Sequence, residues 1–351
     1  MDRSNYRKTW LFSHNDLDGF ACNVVARVFI LGYTDELLEM NCDYSSVDGK
    51  IRKCMPEIDK ENDLVIVSDI SWNNSSEDIT EFLSSLKDGH LVVADHHKTS
   101  EWISREIVLD TVVTEEGDRC GCEILRDILK SMGFYADPRI LRGLDTFIEW
   151  VSDWDLWKWV DEPGVRAESS IAMLMFRDSP QLAVWFEWCI EKISNRKFLE
   201  TVVSRLYDSD RSFAEGIREE YRDKDFLKYM KSVRDAIYCS SRQYYRIKIP
   251  CDTVLDAILF VIPKGFQHKS LLSLIANIET DRKNIRDIDC IAVWVEGDDS
   301  VSLRYPRNGV DLSDALKTCD WEGGGHPYAA GIIPGRQYME RFCKTSKKWE
   351  L

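Results

Sequence analysis

Three short polar stretches in the first third of this sequence carry histidines and aspartates in patterns that could bind a metal. The stretches are SHNDLDG at 13–19, SDIS at 68–71 and DHHKT at 95–99. In the first, His14, Asp16 and Asp18 occupy alternate positions, and alternate side chains of an extended segment point the same way. Carboxylates and imidazoles together suit divalent ions such as Mn²⁺ or Mg²⁺. This stretch therefore predicts a metal site, although a polar turn and helix N-cap would use the same residues.

The second and third stretches add acids that follow apolar runs. Asp69 comes after four buried-type aliphatic residues, where a carboxylate is costly unless it is paired or bound to a metal. It could instead cap a turn. Asp95, His96 and His97 offer a metal ligand, a neighbouring proton donor or phosphate contact, and an acid that orients a histidine. We expect Asp69, Asp95 and His97 to take part in catalysis.

A further acid stands in a tryptophan-rich segment. Asp153 and Asp155 flank Trp154, and either one fits as a last ligand of the metal cluster. We interpret the neighbouring tryptophans as core and site wall rather than as platforms for stacking bases, although aromatic side chains do stack on bases.

The last third of the chain carries a candidate anion site. The glycine run Gly323, Gly324 and Gly325 precedes His326, and we expect exposed backbone N–H groups there at the start of a helix. A run of glycines is most often only a flexible turn. Ser302 and Arg304, on the strand before it, strengthen the site because arginine binds phosphate through two hydrogen bonds. We predict that these residues bind substrate.

The strands and helices expected around SHNDLDG, SDIS and DHHKT indicate how these three stretches come together. Strand candidates Lys8–Phe12, Asp63–Val67 and Leu91–Ala94 each end at one polar stretch, and helical spacing follows the first two. Alternating strands and helices predict a parallel α/β sheet. Ligands bind beyond the carboxyl ends of such strands. The three stretches should therefore share one rim of the sheet.

The rest of the pattern suggests the division of the chain. Residues 1–162 read as the α/β catalytic domain, residues 163–235 as a helical connector, and residues 236–351 as a smaller α/β domain that binds substrate. In that last part we expect strands at 256–262, 289–295 and 301–305 and a helix at 270–278.

Composition narrows the class of protein. The chain has 351 residues, a net charge of −15 and 11 cysteines. Such acidity argues against binding long duplex nucleic acid, but it allows a small phosphorylated substrate. No apolar run long enough for a membrane span is present, and the polar start does not look like a signal peptide. Scattered cysteines fit reduced thiols, so we expect a cytoplasmic protein.

These motifs resemble those of the DHH phosphoesterase superfamily. The matching segments are HNDLDG, the strand-end Asp69, DHH at 95–97, the acid in WDLW, SLR at 302–304 and GGGHPYAAG at 323–331. They span about residues 10 to 333 in the family's order. SHNDLDG, DHHKT, DLWKW and VSLR are most similar to the NrnB-type oligoribonucleases, as opposed to the RecJ exonucleases.

The resemblance implies two domains, an active site in the cleft between them, and two divalent ions, Mn²⁺ first and Mg²⁺ or Co²⁺ as alternatives. It implies that His14, Asp16 and Asp69 bind one ion, and that the other is bound by Asp18, Asp69, His96 and Asp155. The D-x-W-x-W pattern favours Asp155 over Asp153 as the last of these ligands. Asp69 would bridge the ions. His97 would contact the scissile phosphate or assist proton transfer, and Arg304 and His326 would hold substrate.

The expected activity is hydrolysis of short oligoribonucleotides to mononucleotides by water that the two ions activate. A phosphatase for 3′-phosphoadenosine 5′-phosphate and a cyclic dinucleotide phosphodiesterase are the alternative enzymes. A catalytically silent nucleotide sensor is the alternative of another class. The oligomeric state stays open, a homodimer included.

Overall fold

The computed structural model describes residues 6–114, 117–156, 158, 177–239, 243–251, 254–262, 264, 289–304, 312–316, 318–319, 322–326 and 329–345. These residues form two compact units. The first, the catalytic unit, holds the described residues up to 158 together with Asp178–Asp223. The second, the C-terminal unit, holds Arg177 and the described residues from Lys224 onward. Each is considered separately.

A five-stranded parallel sheet is the centre of the catalytic unit. Its strands are β1 (Thr9–His14), β2 (Leu37–Cys42), β3 (Leu64–Ser68), β4 (Leu91–Asp95) and β5 (Val112–Thr114), in the order β2-β1-β3-β4-β5. The predicted parallel α/β fold is confirmed. β3 and β4 are buried along their whole length, as expected for strands covered on both faces. The polar stretches after β1, β3 and β4 consequently share one rim.

Helices pack on this sheet and on one another. They are α1 (Leu17–Ile30), α2 (Val47–Cys54), α3 (Glu77–Ser84), α4 (Glu101–Glu106), α5 (Gly121–Ser131), α6 (Pro138–Asp155), α7 (Asp178–Lys192), α8 (Asn195–Leu206) and α9 (Phe213–Glu220). Short 3₁₀ turns lie at Met55–Glu57 and Lys98–Ser100. Helix α1 is buried on nearly every face, since it packs on β1 and also against α5, α6 and α8.

Helices α7 and α8 belong to the region that the sequence suggests is a connector. Phe186 of α7 and Phe198 of α8 contact Phe20 of α1, with ring centroids 5.2 and 6.3 Å away. Helices α7 and α8 thus contribute to the core of the catalytic unit by packing against α1, the helix that follows the stretch SHNDLDG. The division at residues 162 and 235 remains a prediction.

The C-terminal unit contains a mixed sheet. Its strands are β6 (Gln243–Ile249), β7 (Leu255–Ile262), β8 (Cys290–Val295), β9 (Val301–Arg304), β10 (Glu322–His326) and β11 (Ala329–Ile333), in the order β10-β11-β9-β8-β7-β6. Only β7 and β8 pair in parallel in this sheet. Helices α10 (Lys224–Cys239), α11 (Leu312–Leu316) and α12 (Arg336–Thr345) accompany it. The expected helix at 270–278 lies outside the described residues.

The glycine run differs from its prediction. Gly323, Gly324 and Gly325 lie within β10, paired antiparallel with β11, rather than in a loop that opens a helix. Pairing with β11 gives the backbone of this segment hydrogen-bond partners, and this outweighs the weak strand preference of glycine. An anion site built on a helix start is therefore wrong. Among the described helices, none has the length and apolar character needed to cross a membrane.

Candidate metal and active site

The turn from β1 into α1 presents the first group of ligands. Asp16 is the N-cap of α1, and its carboxylate accepts a hydrogen bond from the Gly19 backbone N–H at 3.0 Å. The other carboxylate oxygen of Asp16 lies 2.7 Å from His14 Nδ1. A Cβ at Gly19 would lie 2.1 Å from the His14 carbonyl oxygen, so only glycine lets the chain turn this tightly. The N-cap interpretation of Asp16 is thus confirmed, and its role as a metal ligand remains a prediction that this geometry allows.

Asp69 lies in the middle of the cluster and has an unusual backbone. Its φ of +56° places it in the left-handed region, uncommon for residues other than glycine and enriched at functional sites. Its backbone N–H donates to the Ala94 carbonyl at 2.8 Å. Its carboxylate, on a residue 1% exposed, lies 3.8 Å from His14 Nδ1 and 3.3 Å from His96 Nε2. This position between two histidines suits a carboxylate shared by two ions.

Asp95 holds the pair of histidines that follows β4. Its Oδ1 accepts hydrogen bonds from His97 Nδ1 at 2.6 Å and from the backbone N–H groups of His96 and His97 at 2.9 and 3.2 Å. Such an arrangement fixes the orientation of the His97 ring. Asp95 itself is fully buried. These contacts support a positioning role of Asp95 toward His97, which remains a prediction.

The end of α6 brings the last acid to the cluster. Asp155, one of the two candidates, has its Oδ2 3.3 Å from His96 Nε2, which is also 3.9 Å from Asp18 Oδ2. Four groups of potential ligand atoms, each mutually within 4.8 Å, are found among the described residues, and two of them contain the six predicted ligands: His14 with Asp16 and Asp69, and His96 with Asp18 and Asp155. The structure therefore brings all six predicted ligands together.

Helix α5 supplies a contact that the sequence did not reveal. Asp18 is buried, and its two carboxylate oxygens accept hydrogen bonds from the backbone N–H groups of Gly121, at 2.6 Å, and Cys122, at 3.0 Å. These N–H groups belong to the first turn of α5, where backbone donors are not used within the helix. These two hydrogen bonds fix the position of the Asp18 carboxylate at the site. No local motif indicates this contact, because Gly121 and Asp18 are 103 positions apart in the chain.

A polar network behind His14 was also missed. The Asn41 side chain donates to the His14 carbonyl at 2.9 Å and to Ser13 Oγ at 3.0 Å, and Ser13 Oγ donates to Asn23 at 2.7 Å. Asn23 Nδ2 in turn donates to Asn41 at 3.1 Å. This closed ring of hydrogen bonds fixes the end of β1, from which His14 projects. No motif in the sequence indicated it, because its members come from three separate elements.

Crowding of the acids shifts their protonation. Burial raises the pKa of Asp69 well above its ordinary value, and the charges of Asp18, Asp16 and Asp155 add to this. The pKa of Asp155 is raised in the same way, by burial and then by Asp18 and Asp16. For Asp95, burial is outweighed by the charge and hydrogen bond of His97, so its pKa is lowered. Repulsion among buried carboxylates is what a divalent cation relieves.

The donor set fits divalent ions on independent grounds. Asp69 Oδ2 and Asp155 Oδ2 are buried oxygen atoms with no hydrogen-bond partner among the described residues. Buried carboxylate oxygens are rarely left so unless another group binds them. Carboxylate oxygens and imidazole nitrogens are suitable ligands for Mn²⁺ and Mg²⁺. The cluster is thus able to hold divalent metal ions.

The predicted substrate-binding residues lie in the C-terminal unit. Ser302 and Arg304 are on β9, with Gly331 and Ala329 opposite them on β11. Arg304 is buried, and this burial lowers its pKa to about 10, so the guanidinium keeps its charge at neutral pH. His326 pairs with Ala329 in turn, so His326 and Arg304 occupy the same row of the sheet. Their binding of substrate remains a prediction.

Comparisons with known proteins agree with the motifs. The chain is 23% identical over 342 residues to oligoribonuclease NrnB of Bacillus subtilis (strain 168), covering 95% of this chain and 74% of the relative. It is 26% identical over 343 residues to a 3′,5′-cyclic-nucleotide phosphodiesterase of Helicobacter pylori (strain ATCC 700392 / 26695), covering 91% and 90%. No protein-family model matches.

Solved structures share the fold. RecJ of Thermus thermophilus, in complex with Mn²⁺, aligns with a TM-score of 0.53 and 13% identity, over 96% of this chain and 51% of that one. An exonuclease RecJ bound to manganese aligns with a TM-score of 0.50 and 15% identity, over 96% and 88%. At these sequence identities, the structural similarity is evidence for the fold alone. In its motifs, its sequence relatives and its fold, this chain is similar to DHH-type phosphoesterases such as NrnB.

Proposed function

We propose that this protein is a metal-dependent phosphodiesterase that hydrolyses short oligoribonucleotides to mononucleotides. The cluster of buried acids around Asp69 is the observation that carries this proposal. Asp69 lies 3.3 Å from His96 and 3.8 Å from His14, in the middle of the two ligand sets. Two divalent ions bound there would activate a water molecule and neutralise charge on the phosphate. Mn²⁺ is our first choice, because carboxylate and imidazole ligands suit it.

The side chains of the chain itself have separate roles in this proposal. His14, Asp16 and Asp69 would hold one ion, and Asp18, His96 and Asp155 would hold the other with Asp69 shared. His97, oriented by Asp95, would donate a hydrogen bond to the phosphate or move a proton. In the C-terminal unit, Ser302, Arg304, Gly323, Gly324, Gly325 and His326 would bind the phosphate and terminal nucleotide.

The names of the relatives support the choice of substrate. One is an oligoribonuclease and the other a cyclic-nucleotide phosphodiesterase, and both act on small phosphodiesters by name. A net charge of −15 fits small substrates better than long duplexes. Hydrolysis of a 3′,5′-cyclic nucleotide is the second candidate, because that relative is 26% identical over 90% of its own length. We further propose a cytoplasmic location.

Product analysis with 5′-labelled RNA tests the proposal. RNAs from dimers to chains of about two dozen nucleotides would be incubated with Mn²⁺ and, in parallel, with chelator. Metal-dependent release of mononucleotides, fastest on the shortest chains, is the expected result. A 3′,5′-cyclic nucleotide is tested beside them, and faster turnover of it would establish the second candidate. No cleavage of either class would leave the catalytically silent sensor.

A matched pair of variants ties the activity to the cluster. Asp69→Asn replaces the shared carboxylate, and we expect it to abolish turnover while the protein stays folded. Asp145→Asn makes the same change on the exposed face of α6, where the side chain is 51% exposed, and should not alter turnover. Activity of Asp69→Asn equal to that of the unmodified protein, in buffers of controlled metal content, would exclude a site in which Asp69 is shared.

A further inference from the structure

Tyr44 is an exposed aromatic residue directly beside the metal cluster. It lies in the turn between β2 and α2, at the carboxyl edge of the sheet. Its ring centroid is 5.1 Å from that of His14 and 5.9 Å from that of His97. A large aromatic side chain that stays 46% exposed at such a position contributes little to the core. Its exposed surface is therefore available to a ligand of the cluster.

The orientation of the neighbouring rings leaves Tyr44 open to stacking. The interplanar angles are 56° with His14 and 86° with His97, so neither imidazole lies flat on the phenol ring. A tyrosine phenol has an ordinary pKa of about 10, so the side chain is a neutral ring at physiological pH. A neutral aromatic face beside a phosphate site is what a nucleobase requires, because bases stack on aromatic side chains irrespective of their sequence.

We propose that Tyr44 forms a nucleobase subsite, on which the base of a nucleotide bordering the scissile phosphate stacks. The inference rests on the proposed function, which places the phosphate beside His97. In a nucleotide the base is separated from its phosphate by one sugar, and Tyr44 borders the same histidine. The subsite would favour nucleotides over other phosphate esters without selecting a particular base. It adds a binding residue from the catalytic unit to those predicted in the C-terminal unit.

Binding of a product tests this subsite without requiring turnover. Affinities for adenosine 5′-monophosphate and for ribose 5-phosphate, which lacks the base, are measured by calorimetry on the whole protein with Mn²⁺. We expect adenosine 5′-monophosphate to bind about tenfold or more tightly, as stacking of one base on a ring would give. Tyr44→Leu should remove most of this preference, whereas Tyr44→Phe should keep it. Tyr207→Leu, at a tyrosine 55% exposed in the same unit, is the matched control and should also keep it.

Two results would overturn the subsite. One is full retention of the preference in Tyr44→Leu. The other is an equal loss of affinity for both ligands, which would mean that the ring only positions His14 and His97. Hydrolysis of RNA dimers is measured on the same preparations. If Tyr44→Leu loses the preference for adenosine 5′-monophosphate and the unmodified protein cleaves no RNA dimer, the subsite is supported and the proposed function is refuted. The failure of the subsite and the failure of the proposed function are therefore distinguishable.

Discussion

Gly121 lies against Asp69 so closely that a Cβ at Gly121 would be 2.7 Å from the Cβ of Asp69. Two residues that are 52 positions apart in the chain thus meet at the centre of the candidate site. The same glycine donates its backbone N–H to Asp18 at 2.6 Å. The first turn of α5 therefore positions two predicted ligands at once.

The Gly121→Ala variant tests this relationship. The added methyl group must push Asp69 or the start of α5 aside, since a contact of 2.7 Å is too short for two carbon atoms. We expect a loss of about 1–3 kcal/mol in the free energy of unfolding from overpacking. Turnover should fall by about 10² or more, because small displacements of reacting groups are this costly. Chemical denaturation and steady-state kinetics measure the two effects.

Gly49 offers the control for that variant. It lies in α2, and nothing is found within 4 Å of a Cβ built there. Gly49→Ala should therefore leave turnover unchanged and keep or slightly raise stability, because alanine is the better helix former. A Gly121→Ala protein as active as Gly49→Ala would show that the close approach to Asp69 is not needed.

A pair of variants on α6 can decide whether Asp153 or Asp155 is the last acid of the metal cluster. Asp155 Oδ2 lies 3.3 Å from His96 Nε2, whereas the sequence allowed Asp153 equally. We expect Asp155→Asn to weaken metal binding and reduce turnover by about 10² or more, and Asp153→Asn to have a much smaller effect. Metal affinity from equilibrium dialysis, with activity on RNA dimers, provides the measurement. The reverse order would move the assignment to Asp153.

Local patterns explain why much of the catalytic unit could be predicted. β1, β3 and β4 are apolar runs that end in polar stretches, and this contrast is visible in a few residues. Strand β2 was missed, because LLEMNC is a half-exposed edge strand with no clear alternation. The Gly121 contact to Asp18 joins residues 103 positions apart, and no local pattern records it. The glycines of β10 form a strand only through pairing with β11.

The raised pKa values of Asp69 and Asp155 predict a pH dependence of metal binding. In the metal-free protein, burial and repulsion make these two carboxyls harder to ionise, so they hold their protons to a higher pH than an ordinary aspartate does. An ion binds the ionised form, so binding releases protons, and the apparent affinity rises with pH until both carboxyls are ionised. Calorimetry with Mn²⁺ in buffers of different ionisation enthalpy counts these protons.

Asp155→Asn serves as the comparison for that measurement, since it removes one of the two titrating carboxyls. We expect fewer protons to be released by the variant than by the unmodified protein. Binding enthalpies that are the same in all buffers would contradict the expected proton release, and so would an affinity that falls as pH rises.

Asp95 provides the last prediction, because His97 is the one side chain of the candidate site to which it is hydrogen-bonded among the described residues. Its Oδ1 accepts the His97 Nδ1 hydrogen bond at 2.6 Å and two backbone N–H groups. Asp95→Asn keeps the size of the side chain but replaces one carboxylate oxygen with a donor. We expect kcat to fall by about 10- to 100-fold, as for other residues that orient a ligand or catalytic histidine. KM for RNA dimers and the number of ions bound should change little. Loss of bound metal in this variant would instead place Asp95 among the ligands.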